Sequence, residues 1–154
     1  ADGPAPTKQQ ARFEADFLKG MIDHHAMAVE MAMLCEDRAV HDDLIDLCDR
    51  IIAAQTAEIE TMQGWLEDWY GIEYEPRMTR QMERQIEKMA SLDGAKFEVA
   101  FLEMMIRHHR TAVREGERCI DRAYHEDLVE LCEDIVEAQT AEIALMRGWL
   151  SEWY

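Results

Sequence analysis

Two histidine pairs, His24-His25 and His108-His109, each follow a methionine by three residues, Met21 and Met105. Each has a downstream counterpart: Gln55-x-x-Glu58 with Met62, and Gln139-x-x-Glu142 with Met146. Imidazole, carboxylate and thioether are donors that transition metals take, and thioethers select soft Cu(I). An interior that gathered His24, His108, Glu58 and Glu142 would hold such an ion. Met21, Met62, Met105 and Met146 would then sit in the adjoining layers, with His25 and His109 as further candidates. Copper is the first expectation; iron and zinc are the alternatives. The plainer reading is a core in which His pairs with Glu and methionine fills gaps. Duplication of the pattern tips the balance to metal, because buried polar groups without partners cost about 1–3 kcal/mol each.

The pattern recurs because the chain is written twice. Residues 13–70 align without a gap on 97–154, and 32 of the 58 paired positions are identical. Two copies of one supersecondary unit imply one domain, 1–154, with internal pseudo-symmetry and a linker over 71–96. Within the first copy Phe17, Met21, His24, Ala28, Met31 and Cys35 step by fours and threes. Leu44, Cys48, Ile51, Gln55, Glu58, Met62, Trp65 and Trp69 do the same, so each copy is a pair of amphipathic helices. Thr7-x-x-Gln10 reads as a capping box opening the first helix. DRAVHDD, containing His41, is a short turn of the kind that joins antiparallel neighbours. Its counterpart contains His125, and both turn histidines are expected to cap a helix or face solvent.

Gly71 and Pro76 end the first copy. Met78, Met82, Ile86 and Met89 then mark a short amphipathic helix, and Asp93-Gly94 resets the chain. That linker is long enough for a crossover along the bundle, although a tucked-back course also fits. The expected fold is all-α: a ferritin-like four-helix bundle of two repeated helical hairpins plus a short connecting helix. Trp65, Trp69, Tyr70, Trp149, Trp153 and Tyr154 would plug its ends.

Folding the first copy about residue 41 sets Cys35 against Cys48, His24 against Glu58 and Met21 against Met62. The second copy repeats this with Cys119 and Cys132, His108 and Glu142, Met105 and Met146. Facing cysteines on packed helices fall within disulfide range, so Cys35–Cys48 and Cys119–Cys132 are expected. Four thiolates on a soft metal is the weaker alternative, since a crossover would put the two pairs at opposite ends. His25 and His109 fall one residue off the stripe. His24 and Glu58 lie mid-stripe, so either orientation of the second hairpin predicts one shared mid-bundle site.

The net charge of −17 repels phosphate backbones and anionic lipid, which argues against nucleic-acid and membrane-surface binding. No apolar run approaches the roughly 20 residues of a membrane span, so no insertion is expected. The polar lead-in ADGPAPTKQQ and the four regularly placed cysteines suggest a processed, exported protein, secreted or periplasmic. No phosphate-binding glycine loop or serine or cysteine triad stands out.

The segments F-x-x-x-F-L-x-x-M-I-x-H-H and Q-x-x-E-I-x-x-M-x-x-W-L resemble the domain of unknown function 305 family over nearly the whole chain, in both copies. The resemblance implies a ferritin-like helical bundle and, for most members, an exported bacterial protein. Some members, the CopM-type proteins, are periplasmic copper-binding and copper-resistance proteins. By position it implicates Met21, His24, His25, Glu58 and Met62, and Met105, His108, His109, Glu142 and Met146. The second copy has Thr111 and Glu115 where the first has Met27 and Met31, so any methionine-rich site there is poorer.

Copper binding, as buffer, scavenger or resistance factor, is thus the leading expectation. A ferritin-like metal oxidase is the second. Its dinuclear centre commonly draws on Glu-x-x-His motifs, and here Met21 and Met105 stand where those glutamates would be. A bundle whose polar layer only sets register is the third.

Overall fold

The computed structural model describes residues 3–154. Five helices form: α1 Lys8–Arg38, α2 Asp42–Tyr70, α3 Arg80–Ala90, α4 Gly94–Arg122 and α5 Glu126–Trp153. There is no strand among the described residues, and no helix there is long and apolar enough to cross a membrane. Thr7 opens α1 through the expected capping box with Gln10, satisfying amide groups that a helix start leaves unbonded. Thr79 does the same for α3. Gly71 closes α2 at φ 65°, a left-handed conformation in which a side chain would be strained.

Each hairpin is clipped near its turn. The disulfides Cys35–Cys48 and Cys119–Cys132 both form, with Cα atoms 6.3 Å apart in each. The hairpins pack through α1 and α4, and two buried glutamates set their direction. Glu14, near the start of α1, takes hydrogen bonds from the backbone N–H of Tyr124 and of His125, both at 2.9 Å. His125 Nδ1 lies 2.7 Å from it and Tyr70 donates its hydroxyl at 2.6 Å. Glu98, near the start of α4, takes the matching set from Val40 N–H, His41 N–H, His41 Nδ1 and Tyr154 Oη, at 2.6–2.8 Å. The first helix of each hairpin thus holds the turn of the other, which requires α1 and α4 to run antiparallel.

This antiparallel pairing settles the course of the linker. α2 ends beside the start of α1, whereas α4 begins beside the α1–α2 turn, so residues 71–93 cross the length of the bundle. Asp23 of α1 holds the linker in passing, accepting from Tyr74 Oη at 2.9 Å and from Arg77 N–H at 2.8 Å. α3 then lies across α1 and α4.

The turn histidines occupy the N-cap positions of α2 and α5 but make no side-chain capping bond, and His125 is buried, which corrects the expectation of a capping or solvent-facing ring. His125 stacks on Trp69 with ring centroids 3.6 Å apart, and His41 on Trp153 at 3.7 Å. Each bundle end is therefore one unit: a buried Glu, a turn His, a Trp and a Tyr. The interior between the ends divides into two apolar clusters. One contains Cys35, Cys48, Phe97, Phe101, Met105 and Met146; the other contains Phe17, Leu18, Met21, Met62, Cys119 and Cys132.

Glu98 should be a measurable support. Burial raises its pKa, but donation by Tyr154, by the His41 and Val40 amides and by the His41 ring outweighs burial and leaves it lowered from 4.5. The unfolded chain then takes up a proton as pH falls below 4.5 before the folded chain does, so this contribution is present above that value and lost on acidification. Glu98→Ala should lower stability by about 2–4 kcal/mol at pH 7 in urea denaturation, because four donors lose their acceptor. It should also flatten the stability-against-pH curve below pH 4.5.

Candidate functional site

Ten residues before Cys35 stands His25, and ten residues after Cys48 stands Glu58. The disulfide fixes the register of α1 on α2, and these two meet: His25 Nε2 lies 2.6 Å from Glu58 Oε1. His109 and Glu142 have the same relation to Cys119 and Cys132, and their atoms lie 2.5 Å apart. The expected facing of His24 with Glu58, and of His108 with Glu142, is therefore corrected by one residue. The cause is that α1 and α4 each have two neighbours rather than one. Consecutive helical residues point about 100° apart, so His25 addresses α2 while His24 addresses α4. The carboxylates also sit nearer the rim than expected, with Glu58 21% and Glu142 18% exposed against 0% for both partner imidazoles.

His24 and His108 meet each other instead. Their rings stack across the α1–α4 contact with centroids 3.5 Å apart and planes 10° from parallel. Burial first, then the neighbouring imidazoles His25 and His109, push His24 down to about 3. Burial and then His24 push His108 to about 2. Both rings are thus neutral, with a nitrogen lone pair to offer, across the whole neutral and mildly acidic range.

Several polar atoms in this layer have no hydrogen-bond partner among the described residues. These are both ring nitrogens of His108, Nδ1 of His25 and of His109, and Oε1 of Gln55 and of Gln139. An ionised carboxylate only accepts, so the nitrogen that faces Glu58 or Glu142 carries the proton. In the neutral ring the lone pair then lies on Nδ1, the atom left unpartnered. A carboxylate that orients a histidine in this way is the usual backing of a metal-bound imidazole.

The methionines bracket the layer. Met21 and Met62 belong to the apolar cluster on one side, Met105 and Met146 to that on the other. All four are buried. No three His, Cys, Asp or Glu side chains converge on one point among the described residues. The layer is a set of paired donors: one imidazole stack, two His–Glu pairs and four thioethers. Unpartnered nitrogen beside sulfur suits a soft or borderline ion such as copper. A carboxylate-rich dinuclear centre suits it less, since Glu58 and Glu142 already serve histidines and the remaining buried glutamates, Glu14 and Glu98, are taken up at the bundle ends.

Glu14 and Glu98 escape a reading by periodicity, which gives an isolated glutamate no reason to be buried. Their signal was the repeat itself: Glu14 aligns on Glu98, His41 on His125 and Tyr70 on Tyr154, each identical in both copies.

Solved structures share this helical fold. CopM in its Cu(I)-bound form is 28% identical with a TM-score of 0.82, over 92% of this chain and 97% of that one. CopM in its Cu(II)-bound form is 27% identical with the same TM-score and coverage. A DUF305 fragment from Deinococcus radiodurans is 25% identical with a TM-score of 0.81, over 97% of this chain and 99% of that one. A candidate secreted DUF305 protein from Streptomyces coelicolor is 29% identical with a TM-score of 0.78, over 91% and 93%. A search of curated proteins finds no significant match. The profile of the domain of unknown function DUF305 matches residues 14–150, and the chain belongs to that family.

Proposed function

We propose that this protein binds copper outside the cytoplasm, through the mid-bundle layer of imidazoles and thioethers, as a buffer or resistance factor. The observation that carries this reading is the group of buried, unpartnered imidazole nitrogens between two methionine layers. It gains support from CopM, whose structures include Cu(I)-, Cu(II)- and Ag-bound forms. Two disulfides in a small helical protein fit an oxidising compartment, as does the name of the Streptomyces relative.

His24 and His108 would offer ring nitrogens to the ion, which requires their stack to open. His25 and His109 would offer Nδ1, with Glu58 and Glu142 holding their protons on Nε2. Met21, Met62, Met105 and Met146 would supply sulfur and favour the reduced ion. The acidic surface concentrates cations around the bundle. In this reading Glu58 and Glu142 position ligands and do not bind the metal.

Competition with a Cu(I) chelator tests the proposal. The His24→Ala/His108→Ala double variant should bind at least about a hundredfold more weakly, and Glu58→Gln/Glu142→Gln about 10–100-fold more weakly. Equal affinity of the double histidine variant and the parent would overturn it.

The acid behaviour of the metal-free protein gives a second expectation. His24 at about 3 and His108 at about 2 lie below their ordinary value of 6.5. Their ring NMR signals should therefore not titrate between pH 5 and 8. Below 6.5 the unfolded chain binds protons that these folded rings refuse, so they make stability fall as pH drops toward 3. Asn in place of both histidines should weaken that dependence, measured by thermal melts between pH 3 and 7.

A further inference from the structure

The relation between the hairpins lets the two halves of the groove between α1 and α4 be compared residue by residue, and they differ. One half is filled by Met27, Met31 and Met104, with α3 above it and Met89 and Met82 packed into the same cluster. In the other half those positions carry Thr111, Glu115 and Gly20, and Asp16 replaces Ala100. There a cleft of about 170 Å³ opens, lined by Asp16, Gly20, Met21, His24, Thr111 and Glu115 among others. Its donors are graded by depth: Asp16 is exposed, Glu115 and His24 are half-buried, and Met21 is 3% exposed. A side chain at Gly20 would meet nothing within 4 Å, so the opening is not forced on the fold by packing there.

From this asymmetry we propose that the cleft is the single port by which a soft cation reaches the mid-bundle layer, the cleft on the methionine-filled half ending short of that layer. The inference rests on the copper reading above. Carboxylates at the mouth attract a hydrated cation and accelerate its capture. Among the described residues Asp16 makes no ion pair, and Glu115 has only a surface partner, Arg118, at 2.9 Å. Water ligands are then exchanged for imidazole and thioether as the ion passes inward, to His24 before His108. On the other half a cleft of about 280 Å³ is lined by Met89, Ala100, Met104 and Arg107 among others, and neither His108 nor Met105 lines it.

Two measurements on the full chain test the port. In metal-free protein, diethyl pyrocarbonate should modify His24 about tenfold faster than His108, read by peptide mass spectrometry. A Gly20→Leu/Thr111→Leu variant, which fills the cleft without adding sulfur, should remove that difference. In stopped-flow loading with Ag(I), the same variant should bind about tenfold more slowly, with equilibrium affinity within about threefold of the parent, since occlusion acts on the route and not on the bound state. Asp16→Asn/Glu115→Gln, which changes no volume, should slow loading and reduce its dependence on ionic strength. Unchanged loading rates in both variants, with affinity intact, would overturn the port alone. Equal reactivity of His24 and His108 in the parent would also overturn it. No silver or copper binding by the parent would overturn the copper reading and the port together.

Discussion

The two carboxylates at the bundle ends fix how the hairpins can dock. A buried carboxylate without donors is strongly unfavourable, and Glu14 and Glu98 each collect four donors, most of them from the opposite hairpin. Only an antiparallel α1–α4 pair brings each glutamate to the other hairpin's turn. That choice forces the linker into a crossover, places the two disulfides at opposite ends, and brings His24 and His108 to one point. The stacked imidazoles at the centre thus follow from hydrogen bonds near the tips of the molecule.

A layer of imidazoles midway along the bundle interrupts what would otherwise be one apolar core. Two apolar clusters result, each closed outward by its own disulfide and its own Glu–His–Trp–Tyr unit. The His–Glu pairs are satisfied across each hairpin and the stack bridges the hairpins, so the layer is tied to all four long helices. Unpartnered nitrogens and amide oxygens within it are a standing cost of about 1–3 kcal/mol each. A ligand that engages them would recover part of that cost, which couples occupancy of the layer to stability of the fold.

The helices, their hairpins and both disulfides were legible in the sequence because they rest on local periodicity and on cysteines at matched positions. The pairing across the hairpin was read one residue out. The apolar stripe of α1 spans faces turned to α2 and to α4, and a single stripe cannot say which histidine belongs to which. The disulfide was the better ruler, since equal steps from Cys35 and Cys48 lead to His25 and Glu58. Glu14 and Glu98 were not legible from helical periodicity, because their main partners lie 56–111 residues away. Carboxylate burial depends on donors that only the tertiary fold supplies.

Identity between the copies has two causes here, and geometry separates them. Glu14, His41, Tyr70 and the cysteines match their repeat partners because each hairpin must satisfy the same constraints at its ends. The histidines, Glu58 and the flanking methionines match because both halves build one central layer. The groove positions carry neither constraint: Gly20 faces open space, while its counterpart Met104 packs under α3. α3 itself has no counterpart, since a chain with two hairpins has only one linker between them. A linker that crosses the bundle therefore covers one half of a two-fold groove and leaves the other to solvent. The duplicated protein thereby becomes lopsided along the groove that runs past its centre.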